Sequence, residues 1–224
     1  MLYFTGDMHG DMQRLSKQKV KKLKSSDTLI VCGDFGFVWD DSKQENKNLD
    51  KLSKLPFNIC FVDGTHENFK LLSGYPVILW NGGAVHKIRN NIYHLMRGQL
   101  YDIDGKKIFT LGGGENPDIE LKEDEEIIDR PEVPSKDEML AGVSAIEKAG
   151  YKVDYIVTHE PPAKIGDFLM LSEKESSTVT ALGAFLDELS AQTEYKKWFF
   201  GSLHIDKHIS ASMASVFTEM LPEE

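Results

Sequence analysis

The chain has little of what would mark a disulfide scaffold, a membrane protein or a polyanion binder. Cysteine occurs only twice in 224 residues, as Cys32 and Cys60. Each lies within an apolar run, so reduced core thiols in a cytoplasmic protein are expected rather than a disulfide framework. No run of 18 apolar residues occurs, and the opening MLYFTGD carries no basic stretch before Asp7. Neither a membrane span nor a signal peptide is therefore expected. Basic residues are outnumbered, with 26 Lys and Arg against 36 Asp and Glu, for a net charge of −10. That balance argues against nucleic acid as the main partner, although bound metal ions can invert the sign of a site locally. No repeat and no Pro/Gly/Ser linker divides the chain, so residues 1–224 are expected to form one domain. A chain of that size buries roughly 70–75% of its unfolded surface and needs no staple.

What the sequence does have is a series of short apolar runs with similar endings. Leu2-Tyr3-Phe4 leads into Gly6-Asp7-Met8-His9, and Leu29 to Cys32 leads into Gly33-Asp34. Ile59 to Val62 leads into Asp63-Gly64-Thr65-His66-Glu67, Tyr155 to Val157 into Thr158-His159-Glu160, and Trp198 to Phe200 into Gly201-Ser202-Leu203-His204. Rich in β-branched and aromatic residues, these runs read as buried strands. Helix-compatible stretches at Met12 to Leu23 and Asp41 to Lys54 separate the early ones, which predicts a layered α/β protein. The middle, from Val85 to Leu111, reads as short antiparallel strands closing one sheet, with Asp104-Gly105 as a type I′ hairpin turn. Helices are expected from Lys136 to Ala149, stopped by Gly150, and from Val179 to Leu189. One or two further strands are expected between Ile205 and Met220. Acidic, proline-bearing Glu115 to Pro134 reads as an exposed loop with a solvated face.

In open α/β sheets ligands gather beyond the carboxyl ends of the strands. There the runs would place Asp7, His9, Asp34, His66, His159 and His204 around one crevice. Mixed carboxylate and imidazole donors suit Mn, Fe or Zn better than Ca. Asp7 and His9 stand two apart, so an extended segment would project both to the same side. Asp34, from the neighbouring strand, could bridge two ions roughly 3.5–4 Å apart, an arrangement suited to phosphoryl transfer to water.

These blocks, Gly6-Asp7-Met8-His9-Gly10, Gly33-Asp34, Gly64-Thr65-His66-Glu67, His159 and Gly201-Ser202-Leu203-His204, resemble the ordered motifs of the calcineurin-like metallophosphoesterases. The family pattern is GDxHG, GDxxx, GNHE, a strand-terminal His, and GHxH, and the resemblance spans residue 2 to about 210. It implies a four-layer α/β/β/α sandwich of two mixed sheets with a metal centre on top. It also implies that Asp7, His9, Asp34 and His204 hold a first ion. Asp34 would bridge to a second ion with His159 beside it, and His66 would assist the leaving group or steady the phosphate. Thr65 stands where the family has Asn, and Ser202 where it has the first His of GHxH. Neutral hydroxyls are weak ligands, so one tightly bound divalent ion and a weak second one are expected.

The other histidines, His86, His94 and His208, have no partner spacing and are not assigned to metal. Phe35, Phe37 and Trp39 either wall a substrate pocket or, more commonly for aromatics at strand ends, fill the core. Arg97 reads as a surface ion-pair partner, and Gly112-Gly113-Gly114 lacks the context of a nucleotide loop. Two functions follow. One is a phosphoesterase hydrolysing phosphate mono- or diesters of small molecules with metal-activated water. The other is a catalytically degenerate relative that uses the same cup as a binding module.

Overall fold

A computed structural model describes residues 1–15, 20–115, 130–170 and 179–223. Among the described residues thirteen strands form two mixed sheets. They are β1 (Leu2–Thr5), β2 (Thr28–Cys32), β3 (Asn58–Val62), β4 (Val77–Trp80), β5 (Gly83–Arg89), β6 (Ile92–Leu95), β7 (Gln99–Ile103), β8 (Lys106–Leu111), β9 (Tyr155–Thr158), β10 (Lys197–Phe200), β11 (Lys207–Ser210), β12 (Met213–Ser215) and β13 (Leu221–Pro222). The first sheet runs β13-β1-β2-β3-β6-β5-β4 and the second β11-β12-β10-β9-β8-β7. Each has four parallel strands at its centre, β1-β2-β3-β6 and β8-β9-β10-β12, with antiparallel strands at the edges.

Strand alternation explains why the central runs are apolar throughout. Side chains at successive positions point to opposite faces, and both faces are covered. Ile30, Cys32, Cys60 and Val62 enter the core between the sheets, where they join Tyr155, Val157 and Phe199. Their neighbours Leu29, Val31, Ile59 and Phe61 face outward, onto Leu49 and Leu52 of α2 (Lys43–Leu52) and Leu72 of α3 (Phe69–Leu72). On the other sheet Ile156, Trp198 and Phe200 meet Ile146 of α4 (Lys136–Lys148) and Leu182, Leu186 and Leu189 of α6 (Ala181–Gln192). The layers are α/β/β/α, as the resemblance implied.

Local signals fixed most helix starts. Ser42 caps α2, Ser135 opens α4 with a full capping box to Glu138, and Thr180 caps α6. Each side-chain oxygen accepts an otherwise unpaired amide hydrogen of the first turn. The Asp104-Gly105 turn has φ of 56° and 73°, as a type I′ hairpin requires.

Two expectations need correction, and two elements add to them. The antiparallel middle does not close one sheet: β5 and β6 join the first, while β7 and β8 join the second. Alternation identifies the hairpins, but only packing decides which sheet each one extends; Leu95 and Tyr101 end up in the same inter-sheet core from opposite sides of the crossing. Met12 to Leu23 is not one α-helix in its described part; α1 covers Met12–Leu15 and Val20–Lys22 form a 3-10 turn. Strand β4 and helix α5 (Ala163–Met170) were not anticipated. Most of the acidic loop, residues 116–129, lies outside the described residues. Among the described residues no helix is long and apolar enough to cross a membrane.

Candidate metal centre

Parallel pairing of β1, β2 and β3, and of β9 and β10, puts their carboxyl ends on the same side of each sheet. The loops beyond them bring Asp7, His9, Asp34 and His204 together, with one donor atom of each within 4.8 Å of all the others. His9 and Asp7 do not reach the centre by strand alternation, as the sequence suggested. Both have left-handed backbone, with φ of 46° and 41°. The loop that carries them is docked on the next one, His9 N–H donating to the Asp34 carbonyl at 2.9 Å and Gly10 N–H to that of Phe35 at 3.0 Å. Asp34, Ser202 and His204 are also at positive φ, so among the described residues five of the nine such non-glycine residues belong to this one site. Such conformations cost on the order of 1–3 kcal/mol each and persist where the surrounding structure imposes them.

The carboxylates form the floor and the imidazoles the rim. Asp7 and Asp34 are 1% and 2% exposed, whereas His9, His204 and His66 are open to solvent at the side chain. The His9 and His204 Nε2 atoms stand 3.2 Å apart. His204 Nε2 lies 3.8 Å from Asp7 Oδ1, and His9 Nε2 4.0 Å from Asp34 Oδ2. Glycine is required where these groups press on backbone. A Cβ at Gly33 would fall 2.0 Å from His159 Nδ1, and one at Gly64 2.0 Å from Asp34 Oδ1.

His159 and His66 lie outside that quartet. His159 is buried behind both carboxylates, 3.8 Å from Asp7 Oδ1 and 3.9 Å from Asp34 Oδ1. Its Nδ1–H donates to the Cys32 carbonyl at 3.2 Å, which leaves Nε2 as the side nearer Asp34. Burial alone would lower its basicity, but Asp34 and Asp7 together raise it. His66 Nδ1 is 3.1 Å from Asp34 Oδ2 and 3.0 Å from the Thr65 hydroxyl, while its backbone N–H donates to Asp34 Oδ1 at 2.9 Å. Ser202 meets the centre through its backbone, donating to both oxygens of Asp7 at 3.2 and 3.1 Å.

The donor set fits a divalent cation. Two buried carboxylates share the floor, and among the described residues their ion pairs are with histidines only. Burial pushes the Asp7 carboxyl up to about 6, with the Asp34 charge adding to it against the pull of His159 and His204. Uncompensated buried charge costs several kcal/mol per ion, and a cation among these oxygens and imidazoles would remove that cost. Asp34 is held below the usual range; burial would raise it, but His159 and the His66 N–H outweigh that.

Three contributors escaped sequence reasoning. Glu67 is buried, its Oε1 accepting the Phe35 N–H at 2.7 Å while Oε2 has no partner among the described residues; its place beside His66 was the available signal. Asp206 accepts the amide hydrogens of Phe217, Thr218 and Glu219, folding a turn that stacks Phe217 on the His204 ring at 4.9 Å. Arg14 then lies over Phe217 and donates to the Asp7 carbonyl at 2.6 Å. Nothing in the spacing of Asp206 or Arg14 signals these contacts, because turn geometry and the docking of Phe217 on Arg14, from the other end of the chain, create them.

Two packed mixed sheets with a cup of carboxylates and imidazoles at their shared carboxyl ends define a metallophosphoesterase-type fold. The sequence profile of the calcineurin-like phosphoesterases matches residues 2–204, and the chain belongs to that family. Its members are generally metal-dependent phosphoesterases. No curated protein matches the chain significantly.

Proposed function

We propose that this protein hydrolyses phosphate mono- or diesters of small molecules, using a divalent ion held by Asp7, His9, Asp34 and His204. The observation that carries this reading is the buried pair Asp7 and Asp34, with imidazoles around it and, among the described residues, no guanidinium or ammonium in an ion pair with either carboxylate. Mn, Fe or Zn suits such mixed donors. When bound, the ion would polarise a phosphoryl oxygen and acidify coordinated water.

The remaining work falls to the chain's own groups. His159, tethered to the Cys32 carbonyl, keeps its Nε2 directed to the Asp34 side, where it supports a second, weaker ion. Thr65 and Ser202 offer that ion only hydroxyls, in place of an amide and an imidazole. His66, exposed at the rim beside Asp34, protonates the leaving oxygen. In the reaction a water oxygen bonds to phosphorus and gives up a proton to solvent, the ester P–O bond breaks, and the departing oxygen takes the His66 proton, which solvent then restores to His66. We take residues 1–224 to work as one domain, and the two free, buried thiols suit the reducing cytoplasm.

Metal analysis of the purified protein, joined to a panel of phosphate esters with added Mn²⁺, tests this reading. Close to one tight ion per chain and Mn²⁺-dependent turnover are expected; two equally tight ions would refute the weak second site, and no turnover on any ester would refute the hydrolase. His66→Ala should lower turnover of esters with poor leaving groups by about two to four orders of magnitude. On a nitrophenyl ester, whose leaving group needs little protonation, the loss should be much smaller. Equal losses on both would give His66 a positioning role instead.

A further inference from the structure

Beside the histidines the surface opens into a cleft of about 510 Å³, bordered by His9 and His66 and by Trp39, Asp40, Gln44 and Asn48. That volume lies within the roughly 300–1,000 Å³ of small-molecule sites. Of the three aromatics that the sequence offered for a pocket wall, one faces outward. Phe35 and Phe37 are buried at 0% and 2% exposure, as strand-end aromatics usually are, but Trp39 is 52% exposed. Its backbone is nevertheless fixed. The Trp39 and Asp40 amides donate to Glu45 Oε2 at 2.6 and 3.0 Å, and that of Asp41 to Oε1 at 3.2 Å. The Asn68 side chain holds the Trp39 carbonyl from the opposite end of the loop. A half-exposed indole on a loop so tied is a prepared surface.

The polar groups of the cleft narrow what could lie on it. Gln44 Nε2 donates to Asn48 Oδ1 at 3.0 Å, so Gln44 Oε1 and Asn48 Nδ2 stand outside that bond as a paired acceptor and donor. Among the described residues no Lys or Arg borders the cleft, whereas Asp40 and Glu45 do. A second phosphate group or a nucleic-acid backbone would meet carboxylates there and, among the described residues, no cationic side chain beyond the histidines. A flat, uncharged ring with exocyclic amino groups meets the reverse: a face to stack on, an amide edge to pair with, and a carboxylate to accept its hydrogens.

We propose that this cleft receives the leaving group of the substrate and that the leaving group is a nucleoside with an amino-bearing base, adenine, guanine or cytosine. The inference rests on the phosphoesterase reading for the word "leaving" but not for the binding. Stacking on Trp39 supplies affinity, and Asp40 favours amino-bearing bases over uracil.

Isothermal titration of the Mn²⁺-loaded protein with adenosine, guanosine, cytidine, uridine and ribose 5-phosphate tests the binding without requiring turnover. At least one amino-bearing nucleoside should bind more tightly than uridine. Trp39→Ala should weaken it about tenfold or more, as loss of base stacking does. Trp39→Phe should restore most of the affinity, and ribose 5-phosphate should be indifferent to both changes. Asp40→Asn should reduce the preference over uridine. Absence of nucleoside binding, or binding indifferent to Trp39, would overturn the proposal. Kinetics on nucleoside monophosphates complete the test, since Trp39→Ala should raise KM for them about tenfold and KM for ribose 5-phosphate, whose leaving group has no aromatic ring to stack, by much less. Trp39-dependent binding without hydrolysis of any ester would refute the hydrolase and the leaving-group role, and leave a nucleoside site.

Discussion

Two buried carboxylate clusters meet near Gly64, and they balance charge in different ways. On one side Asp63, at 1% exposure, is gripped by Arg97, whose Nε and Nη2 donate to Oδ2 at 2.8 and 2.6 Å. His94 Nε2 lies 3.0 Å from Oδ1 of the same carboxylate, and the His94 ring stacks on His86. Arg97 also reaches the carbonyls of Pro131, Glu132 and Val133. It is thus a buried hub rather than the surface partner that its sequence context suggested. On the other side Asp7 and Asp34 are as deeply buried, but among the described residues their carboxylates form ion pairs only with imidazoles, and Arg14 reaches Asp7 through its backbone carbonyl. The carboxyls respond in opposite directions. Burial would raise both, yet Arg97 and His94 hold Asp63 well below the usual range, while Asp7 rises to about 6. One cluster carries its own cation; the other has the chemistry of a site completed by a cation from solution.

The strongest way to break this comparison is to remove the internal cation. Arg97→Met leaves Asp63 charged with only His94 beside it, which should cost about 3–5 kcal/mol in urea denaturation. Metal content should stay at one ion per chain. A loss below about 1 kcal/mol would mean that the pair is no keystone. The external cation has a smaller signature. Mn²⁺ at a hundred times its dissociation constant should stabilise the native protein by about 2.7 kcal/mol. Asp34→Ala should abolish that gain, and Arg97→Met should retain it; thermal melts with and without chelator distinguish the two.

Sharpening the metal side calls for rebuilding rather than removal. Thr65→Asn with Ser202→His should tighten the second ion and raise turnover tenfold or more, about 1.4 kcal/mol off the barrier. The gain should exceed the sum of the single changes, because both side chains would serve one ion. A tightened ion with no gain in rate would show that the second site does not limit catalysis.

The mildest perturbation is pH, and it isolates Asp63. Its folded value lies below its ordinary 3.8, so its stabilising contribution is present above that pH and is lost as pH falls beneath it. The stability advantage of the native protein over Asp63→Asn should therefore hold from pH 7 to about 4 and shrink below. A constant difference down to pH 2 would contradict the assignment.

The sequence by itself determined the chemistry of the strand ends and the α/β class, and the resemblance of its motifs implied the four layers. Apolar runs of three or four residues, rich in β-branched and aromatic side chains and without polar alternation, read as strands covered on both faces, and Asp or His soon after five of them marks one crevice. Composition also excluded disulfide support, because Cys32 and Cys60 lie within such runs. Tertiary structure alone decided the rest, because the rest depends on contacts between distant segments. Which sheet β7 and β8 extend, that Arg97 pairs with Asp63, that Asp206 sets Phe217 on His204, and that Trp39 faces out while Phe35 and Phe37 face in are all settled by packing. A pattern of residues specifies which groups seek burial or a partner; only the folded chain, by placing the loops, decides which carboxylate meets a guanidinium and which is left for a metal.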